Sequence, residues 1–172
     1  MDLKQYIRDI PDFPKPGIIF KDITPLLANP KAIKVCKELL IDHWQNTGLT
    51  AIMAIESRGF LFGMIMAEAL NIKFIPVRKK GKLPYKTIRE EYQLEYGTST
   101  IEIHSDALNQ QDKVLIHDDL LATGGTAKAA ANLARKCNAS VAGFSFLIEL
   151  SALNGRNELE TFSQKINSII KF

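Results

Sequence analysis

The sequence predicts an α/β fold, a parallel twisted sheet flanked by helices, and two observations carry that prediction. From Leu49 onward, short apolar runs alternate with segments of helical period, which is the pattern of strands joined by crossover helices. Of the 172 residues, 46% are apolar and 24% charged, enough to bury one core without disulfides or metals. A single domain spanning 1–172 is expected, with no internal repeat, low-complexity tract or linker.

Taking the elements in order, Asp2 is placed to cap a short helix with Leu3, Tyr6, Ile7 and Ile10 on one face, which Pro11 stops. Pro11-Asp12-Phe13-Pro14-Lys15-Pro16-Gly17 is too proline-rich for a helix or an inner strand and reads as an ordered loop. Asn29 before Pro30 is an N-cap with proline at the first helical position. Ile33, Cys36, Leu40 and Trp44 then repeat at helical spacing up to Gly48, so this helix is expected to pack on a sheet. Strands follow over 49–55, 73–77, 113–117 and 140–148, with helices over 59–70 and 127–137. Between them Tyr92, Leu94 and Tyr96, then Ile101 and Ile103, alternate with polar residues across Gly97, as in an exposed antiparallel hairpin. That hairpin reads as a flap beside the sheet.

Composition narrows the partners. The net charge is only +3, and the one dense basic cluster, 78–86, lies in a loop rather than along a face, which argues against nucleic acid and for a small anionic ligand. Cys36 and Cys137 lie in separate helical segments with no CxxC and no histidine pairing, so neither a zinc site nor a disulfide framework is indicated, and a reducing cytoplasm fits. The N-terminus lacks a basic, then apolar, export pattern, and the longest apolar run, 60–67, is far short of a membrane span. A soluble, unexported protein with no membrane partner is expected.

The most informative stretch is Val114-Leu115-Ile116-His117-Asp118-Asp119-Leu120-Leu121-Ala122-Thr123-Gly124-Gly125-Thr126. An apolar strand ends in two acids, then a glycine turn, then a helix. Free main-chain N–H groups and two hydroxyls at a helix N-terminus make a site for a phosphate dianion. Adjacent carboxylates are costly unless they meet hydroxyls or a cation, so Asp118 and Asp119 suit a ribose diol, bound directly or through magnesium. For a bare Thr-Gly-Gly-Thr an ordinary strand-to-helix connection would be the favoured reading; the acid-acid string ahead of it argues otherwise. There is neither a Walker lysine nor a GxGxxG fingerprint.

This string resembles the phosphoribosyl pyrophosphate (PRPP) motif of type I phosphoribosyltransferases. The resemblance implies that fold, with a small N-terminal hood (1–28) and a mobile catalytic loop and flap (78–104). It also implies that Ala122, Thr123, Gly124, Gly125 and Thr126 hold the 5′-phosphate, and that Asp118 and Asp119 hold the ribose hydroxyls. His117 stands where relatives have an apolar residue and is assigned no role.

Three further strings resemble adenine phosphoribosyltransferases, and with the first they reach from Pro11 to Arg156. The stretch from Pro11 to Leu27 is similar to the family's hood, which implies that the base meets Ile19, Phe20 and Lys21, largely through main-chain groups. An extended backbone offers the acceptor and donor that adenine needs, and stacking on Phe20 adds binding with little discrimination. Phe13 reads as packing. Ile55-Glu56-Ser57-Arg58-Gly59-Phe60 resembles the pyrophosphate loop, implying pyrophosphate contacts from Ser57 and Arg58 and a cis peptide before Ser57; the arginine fork suits phosphate oxygens. The stretch from Arg78 to Gly97 resembles the catalytic loop and flap. On composition alone, five cations within nine residues mean a solvated loop. The resemblance instead implies pyrophosphate contacts from Arg78, Lys79 and Lys82. It makes Glu95 the catalytic acid or base and Arg58 its partner in catalysis, with Tyr96 beside Glu95. Glu149-Leu150-Ser151-Ala152-Leu153-Asn154-Gly155-Arg156 also matches, placing Leu150 at the border of the base; a core leucine reads equally well.

The resemblance therefore implies transfer of the phosphoribosyl group from PRPP to N9 of adenine, with Mg²⁺ carried by PRPP, no metal-ligand residues, and a homodimer. Lys21 replaces an arginine usual in relatives, and its ammonium suits a 6-oxo group, which keeps a hypoxanthine or guanine enzyme as the alternative. A PRPP-sensing regulator without catalysis is the further alternative; it would show an eroded flap or an added DNA-binding domain.

Overall fold

The structure is a computed structural model and describes residues 1–94 and 97–172. They form two compact units, Met1–Leu39 and Leu40–Phe172.

In the first unit the N-terminal helix is shorter than its pattern suggests. A 3-10 turn, Leu3–Tyr6, is capped by the Asp2 carboxylate, which accepts from the Lys4 N–H at 3.0 Å. The chain then turns extended as β1 (Arg8–Pro11), pairing antiparallel with β2 (Ile19–Asp22). A helix of two turns is marginal in water, and cross-strand hydrogen bonds outcompete it. The proline-rich connection is ordered, as expected: Asp12 accepts from the Gly17 N–H at 2.7 Å, and Phe13–Pro14 is a cis peptide. Asp22 caps the short helix α1 (Thr24–Leu27) by accepting from the Thr24 N–H and hydroxyl at 2.9 and 2.7 Å. Asn29 does the same for α2 (Pro30–Trp44), accepting from Lys31 and Ala32 at 3.0 and 3.1 Å. Helix α2 stops at Trp44, short of Gly48.

The second unit is built on a seven-stranded sheet. Its strands are β3 (Ala51–Ile55), β4 (Lys73–Lys79), β5 (Thr87–Leu94), β6 (Gly97–His104), β7 (Lys113–Leu121), β8 (Ser140–Glu149) and β9 (Ile166–Lys171). Their order is β5-β6-β4-β3-β7-β8-β9, with the five from β4 to β9 parallel and the β5–β6 hairpin antiparallel at one edge. Strands β3 and β7 are central and buried on both faces, as a parallel sheet requires. Helices α3 (Gly59–Leu70) and α4 (Gly125–Lys136) cover different sets of side chains. The alanines of α4 pack with Ala51, Met53, Val114 and Ile116, whereas Gly63 of α3 lies over Ala54 and His117. The period of two along each strand separates the two sets. At the far edge Trp44 fills the space a side chain at Gly143 would take.

Two expectations need correction here, and two elements were not expected. Strand β7 runs on to Leu121, so Asp118 and Asp119 are strand residues held by parallel pairing to β8, rather than residues just past a strand end. The hairpin begins at Thr87, earlier than its apolar alternation indicates, because polar residues pair along an edge strand as readily as apolar ones. The short helix α5 (Arg156–Leu159) is a single turn, and strand β9 has no clean alternation of apolar and polar residues to mark it. Both cysteines are buried free thiols, and burial pushes Cys36 up to about 11. Among the described residues no helix is long and apolar enough to cross a membrane.

Candidate active site

The carboxyl ends of β3, β4 and β7 gather the chemistry of the second unit. After β7 the chain turns through Ala122–Gly124, and Gly124, at φ 86°, starts α4 with no side-chain cap. The first N–H groups of a helix have no acceptor within it, so those of Gly125, Thr126 and Ala127 are available to an anion. A small pocket of about 70 Å³ is lined by Asp118 and by every residue from Leu120 to Ala127. The sequence-predicted phosphate residues thus share one cavity with one of the two acids.

Glycine is required here by close approach as well as by φ. A Cβ on Gly124 would stand 2.6 Å from the Gly155 carbonyl oxygen, and one on Gly155 would collide with the Ala122 carbonyl. The turn at Asn154–Arg156 therefore buttresses the loop from behind. Arg156 fixes that turn by a bidentate pair to the buried Glu149, both bonds 2.7 Å, and by donating to the Ile166 carbonyl at 3.0 Å. Leu150 is half-buried, its N–H donating to the Leu121 carbonyl at 2.9 Å.

Asp119 faces a different partner. Its Oδ2 lies 2.8 Å from Arg58 Nε, and its own N–H donates to Asp118 Oδ1 at 2.8 Å. Burial, and for Asp118 the neighbouring charge of Asp119, push both carboxyls above the usual range, while Arg58 works in the opposite direction. Two acids so placed suit a ligand that brings hydroxyls or positive charge. Among the described residues no three His, Cys, Asp or Glu side chains cluster to hold a metal ion.

The loop between β3 and α3 carries Ser57, exposed, and Arg58, with a cis peptide between Glu56 and Ser57. A Cβ on Gly59 would meet Asp118 Oδ1 at 3.0 Å and the His117 carbonyl at 3.1 Å, so glycine lets this loop lie against β7. His117 is fully buried beneath α3, and neither ring nitrogen has a hydrogen bond of good geometry. Burial pushes its pKa down to about 4, which the Ser145 main chain only partly offsets. It is a neutral core histidine.

The sequence gives no sign of two carboxylates that organise the basic segment. Glu56 holds Arg78, Oε2 to Nε at 2.7 Å, and Arg78 donates onward to the Lys82 carbonyl at 3.2 Å. Glu102, wholly buried on β6, accepts from the Gly81 and Leu83 N–H groups at 2.9 and 3.4 Å and from Arg89 at 2.9 Å. Lys79 and Lys82 are exposed on the turn that these acids fix. A charge opposite in sign to a basic cluster, some twenty residues away, is the only available signal. Glu95 and Tyr96 lie outside the described residues.

In the first unit Ile19, Phe20 and Lys21 all sit on β2. Ile19 is 55% exposed, and Phe20 meets Phe13 edge to face with centroids 5.1 Å apart. Lys21 pairs in register with Asp9, and its ammonium lies 2.7 Å from that carboxylate.

Residues 22–171 match the family model described as a phosphoribosyl transferase domain. A relative from Francisella philomiragia named adenine phosphoribosyltransferase is 51% identical over 172 residues, covering 99% of this chain and 97% of the relative. The crystal structure of adenine phosphoribosyltransferase from Rhodothermus marinus superposes with a TM-score of 0.94 at 50% identity, over 99% of this chain and 96% of that one. The enzyme of the same name from Giardia lamblia, solved in complex with 9-deazaadenine, gives 0.95 at 36% identity, over 99% and 96%.

Proposed function

Because this chain belongs to the adenine phosphoribosyltransferase family, we propose that it transfers the 5-phosphoribosyl group of PRPP to N9 of adenine, giving AMP and pyrophosphate. The observation that carries the reading in this chain's own residues is the pocket at the start of α4, lined by Asp118 and the Leu120–Ala127 backbone. It offers a phosphate dianion helix N–H groups and threonine hydroxyls, and it offers a ribose the Asp118 carboxyl in the same pocket.

The reaction is displacement at the anomeric carbon, with pyrophosphate leaving ahead of attack by the purine nitrogen. Charge gathering on pyrophosphate is then the main barrier. Arg58, Arg78, Lys79 and Lys82, with Ser57, serve that end of the substrate, each well-placed donor being worth about 3 kcal/mol in a dry site. Glu95 moves the proton on the purine ring, worth about 10²- to 10⁴-fold. Ile19, Phe20, Lys21 and Leu150 bind adenine. A mobile flap that closes over the site would exclude water from PRPP and open to release product.

Magnesium enters with PRPP, held by pyrophosphate and ribose oxygens, and supplies charge neutralisation. The raised carboxyl pair fits such a cargo, since Asp118 and Asp119 favour a partner with hydroxyls or positive charge. A homodimer in the cytoplasm completes the reading. Exposed Leu61 and Met64 on α3, 43% and 51% accessible, supply an apolar surface for a second copy. Sedimentation velocity tests it: a monomer at micromolar concentration overturns the dimer.

The 6-oxopurine alternative rested on a lysine ammonium reaching the base, and Asp9 engages that ammonium. The assay is direct: purified protein with PRPP, Mg²⁺ and adenine, hypoxanthine or guanine in turn, following nucleotide and pyrophosphate. AMP from adenine alone is expected. IMP or GMP would move the substrate to 6-oxopurines, and PRPP binding without turnover would favour a sensor. Glu95→Ala with wild-type single-turnover kcat would remove Glu95 from the chemistry.

A further inference from the structure

Strand β5 lies along α4, fixed by Asn132 to Glu90 at 2.7 Å, Lys136 to Glu90 at 2.6 Å, and Lys136 to the Arg89 carbonyl at 2.7 Å. Two residues further along, Tyr92 reaches the phosphate loop itself. Its ring packs against the core, and its hydroxyl stands 3.3 Å from Thr126 Oγ1. The Gln93 carbonyl comes within 3.5 Å of where a Cβ on Gly125 would be. Among the described residues, Tyr92 is the side chain of the hairpin that hydrogen-bonds into this loop.

A threonine hydroxyl has one proton to give. The two hydroxyls stand 3.3 Å apart, and either can donate to the other. A phosphate oxygen carries charge and is the stronger acceptor, so an arriving phosphate takes that proton. The Thr126 oxygen is then left as an acceptor, and the tyrosine hydroxyl can rotate to donate to it, since a phenol serves in either sense. The chain Tyr92 to Thr126 to phosphate is polarised in one direction and each bond strengthens the next.

We infer that Tyr92 is a positioning residue that orients the Thr126 hydroxyl toward the 5′-phosphate and ties β5, the strand leading to Glu95, to occupancy of that site. The inference rests on the assignment of the α4 pocket to phosphate. It predicts that phosphate binding and the hairpin are coupled through a single hydroxyl.

Ribose 5-phosphate is the probe, titrated calorimetrically into the full chain. Tyr92→Phe keeps the ring and its packing, and is expected to raise Kd about 3- to 10-fold, the usual worth of one neutral hydrogen bond. KM for PRPP should rise with it while KM for adenine does not. In a Thr126→Val background Tyr92→Phe should change Kd no further, whereas in Thr126→Ser, which keeps the hydroxyl, it should weaken binding by the same factor. A structural role alone would give equal factors in both backgrounds, and that result, or an unchanged Kd in Tyr92→Phe, overturns the inference. Failure of the wild-type protein to bind ribose 5-phosphate would overturn the phosphate assignment as well, which separates the two failures.

Discussion

The two ends of the candidate site, one at the start of α4 and one across β3 and β4, are built from different materials. At the start of α4 the groups offered to a ligand are main-chain N–H and short hydroxyls, shaped by Gly124 and backed by Gly155. Across β3 and β4 the groups are long cations, and carboxylates from elsewhere in the chain set their positions: Asp119 for Arg58, Glu56 for Arg78, Glu102 for the turn at Gly81. A main-chain site is rigid and indifferent to pH, but intolerant of a single added carbon. A site built from ion pairs tolerates shape changes and responds to charge.

The largest expected effect comes from breaking the main-chain side. Gly124→Ala puts a Cβ at φ 86° and 2.6 Å from the Gly155 carbonyl oxygen. Left-handed backbone and overpacking together cost about 4 kcal/mol. Steady-state kinetics with PRPP and urea unfolding should divide that cost between a large loss of kcat/KM and a loss of stability. A variant with wild-type values in both would mean that the loop does not depend on the Gly155 contact.

Beneath α3, His117 makes the stability of the fold depend on pH. Its folded pKa of about 4 lies below the ordinary 6.5. The unfolded chain therefore takes up the proton first as pH falls, and stability that is present above pH 6.5 is lost on the way down to pH 4. The loss totals about 3 kcal/mol, about 2 of it already gone at pH 5. His117→Leu should flatten this part of the stability profile in denaturant melts between pH 7 and pH 4. A variant as acid-sensitive as the wild type would assign the loss to carboxylates instead.

Glu102 tests the ion-pair side directly. Burial would push its carboxyl up, but Arg89 and the Leu83 and Gly81 N–H groups, with Thr87, together hold it below the usual range. Glu102→Gln keeps the volume and loses the charge, at about 2 kcal/mol for a charge-assisted set. If the turn presents Lys79 and Lys82 to pyrophosphate, KM for PRPP rises and KM for adenine stays. Equal changes in both would make Glu102 a stability residue only.

What was legible beforehand follows the same division. The parallel sheet, the extents of α3 and the start of α2 were readable because apolar period, N-caps and proline are local signals. The pocket-lining turn before α4 was readable for the same reason: glycine, threonine and aspartate act within a few residues of where they stand. Glu56 and Glu102 were not, because each does its work on a residue 20 or so positions away, and nothing beside either of them in the chain announces the partner. Tyr92 looked like one step in an alternating strand, and only the packing of β5 on α4 gives its hydroxyl a partner. The end of β7 is not legible locally, because two aspartates look like a strand terminus; pairing with β8 carries the strand through them.

The smallest effect is the one that decides whether the two acids belong to the fold or to the ligand. Burial and the charge of Asp119 raise the Asp118 carboxyl, so the folded state holds that proton more tightly than the unfolded chain does. Stability from this group is therefore fully present below the ordinary value of 3.8 and falls as pH rises from there through the raised value, the reverse of an ordinary salt-bridged aspartate. Asp118→Asn keeps the acceptor for the Asp119 N–H and leaves the Arg58–Asp119 pair in place. Without ligand the variant should be more stable than the wild type at pH 8, and the difference should vanish below about pH 4. If Asp118 holds the ribose, PRPP turnover should fall. A variant less stable at pH 8 would mean that the ionised Asp118 is already compensated within the chain, and the pair would then be part of the scaffold rather than a charge held in readiness for substrate.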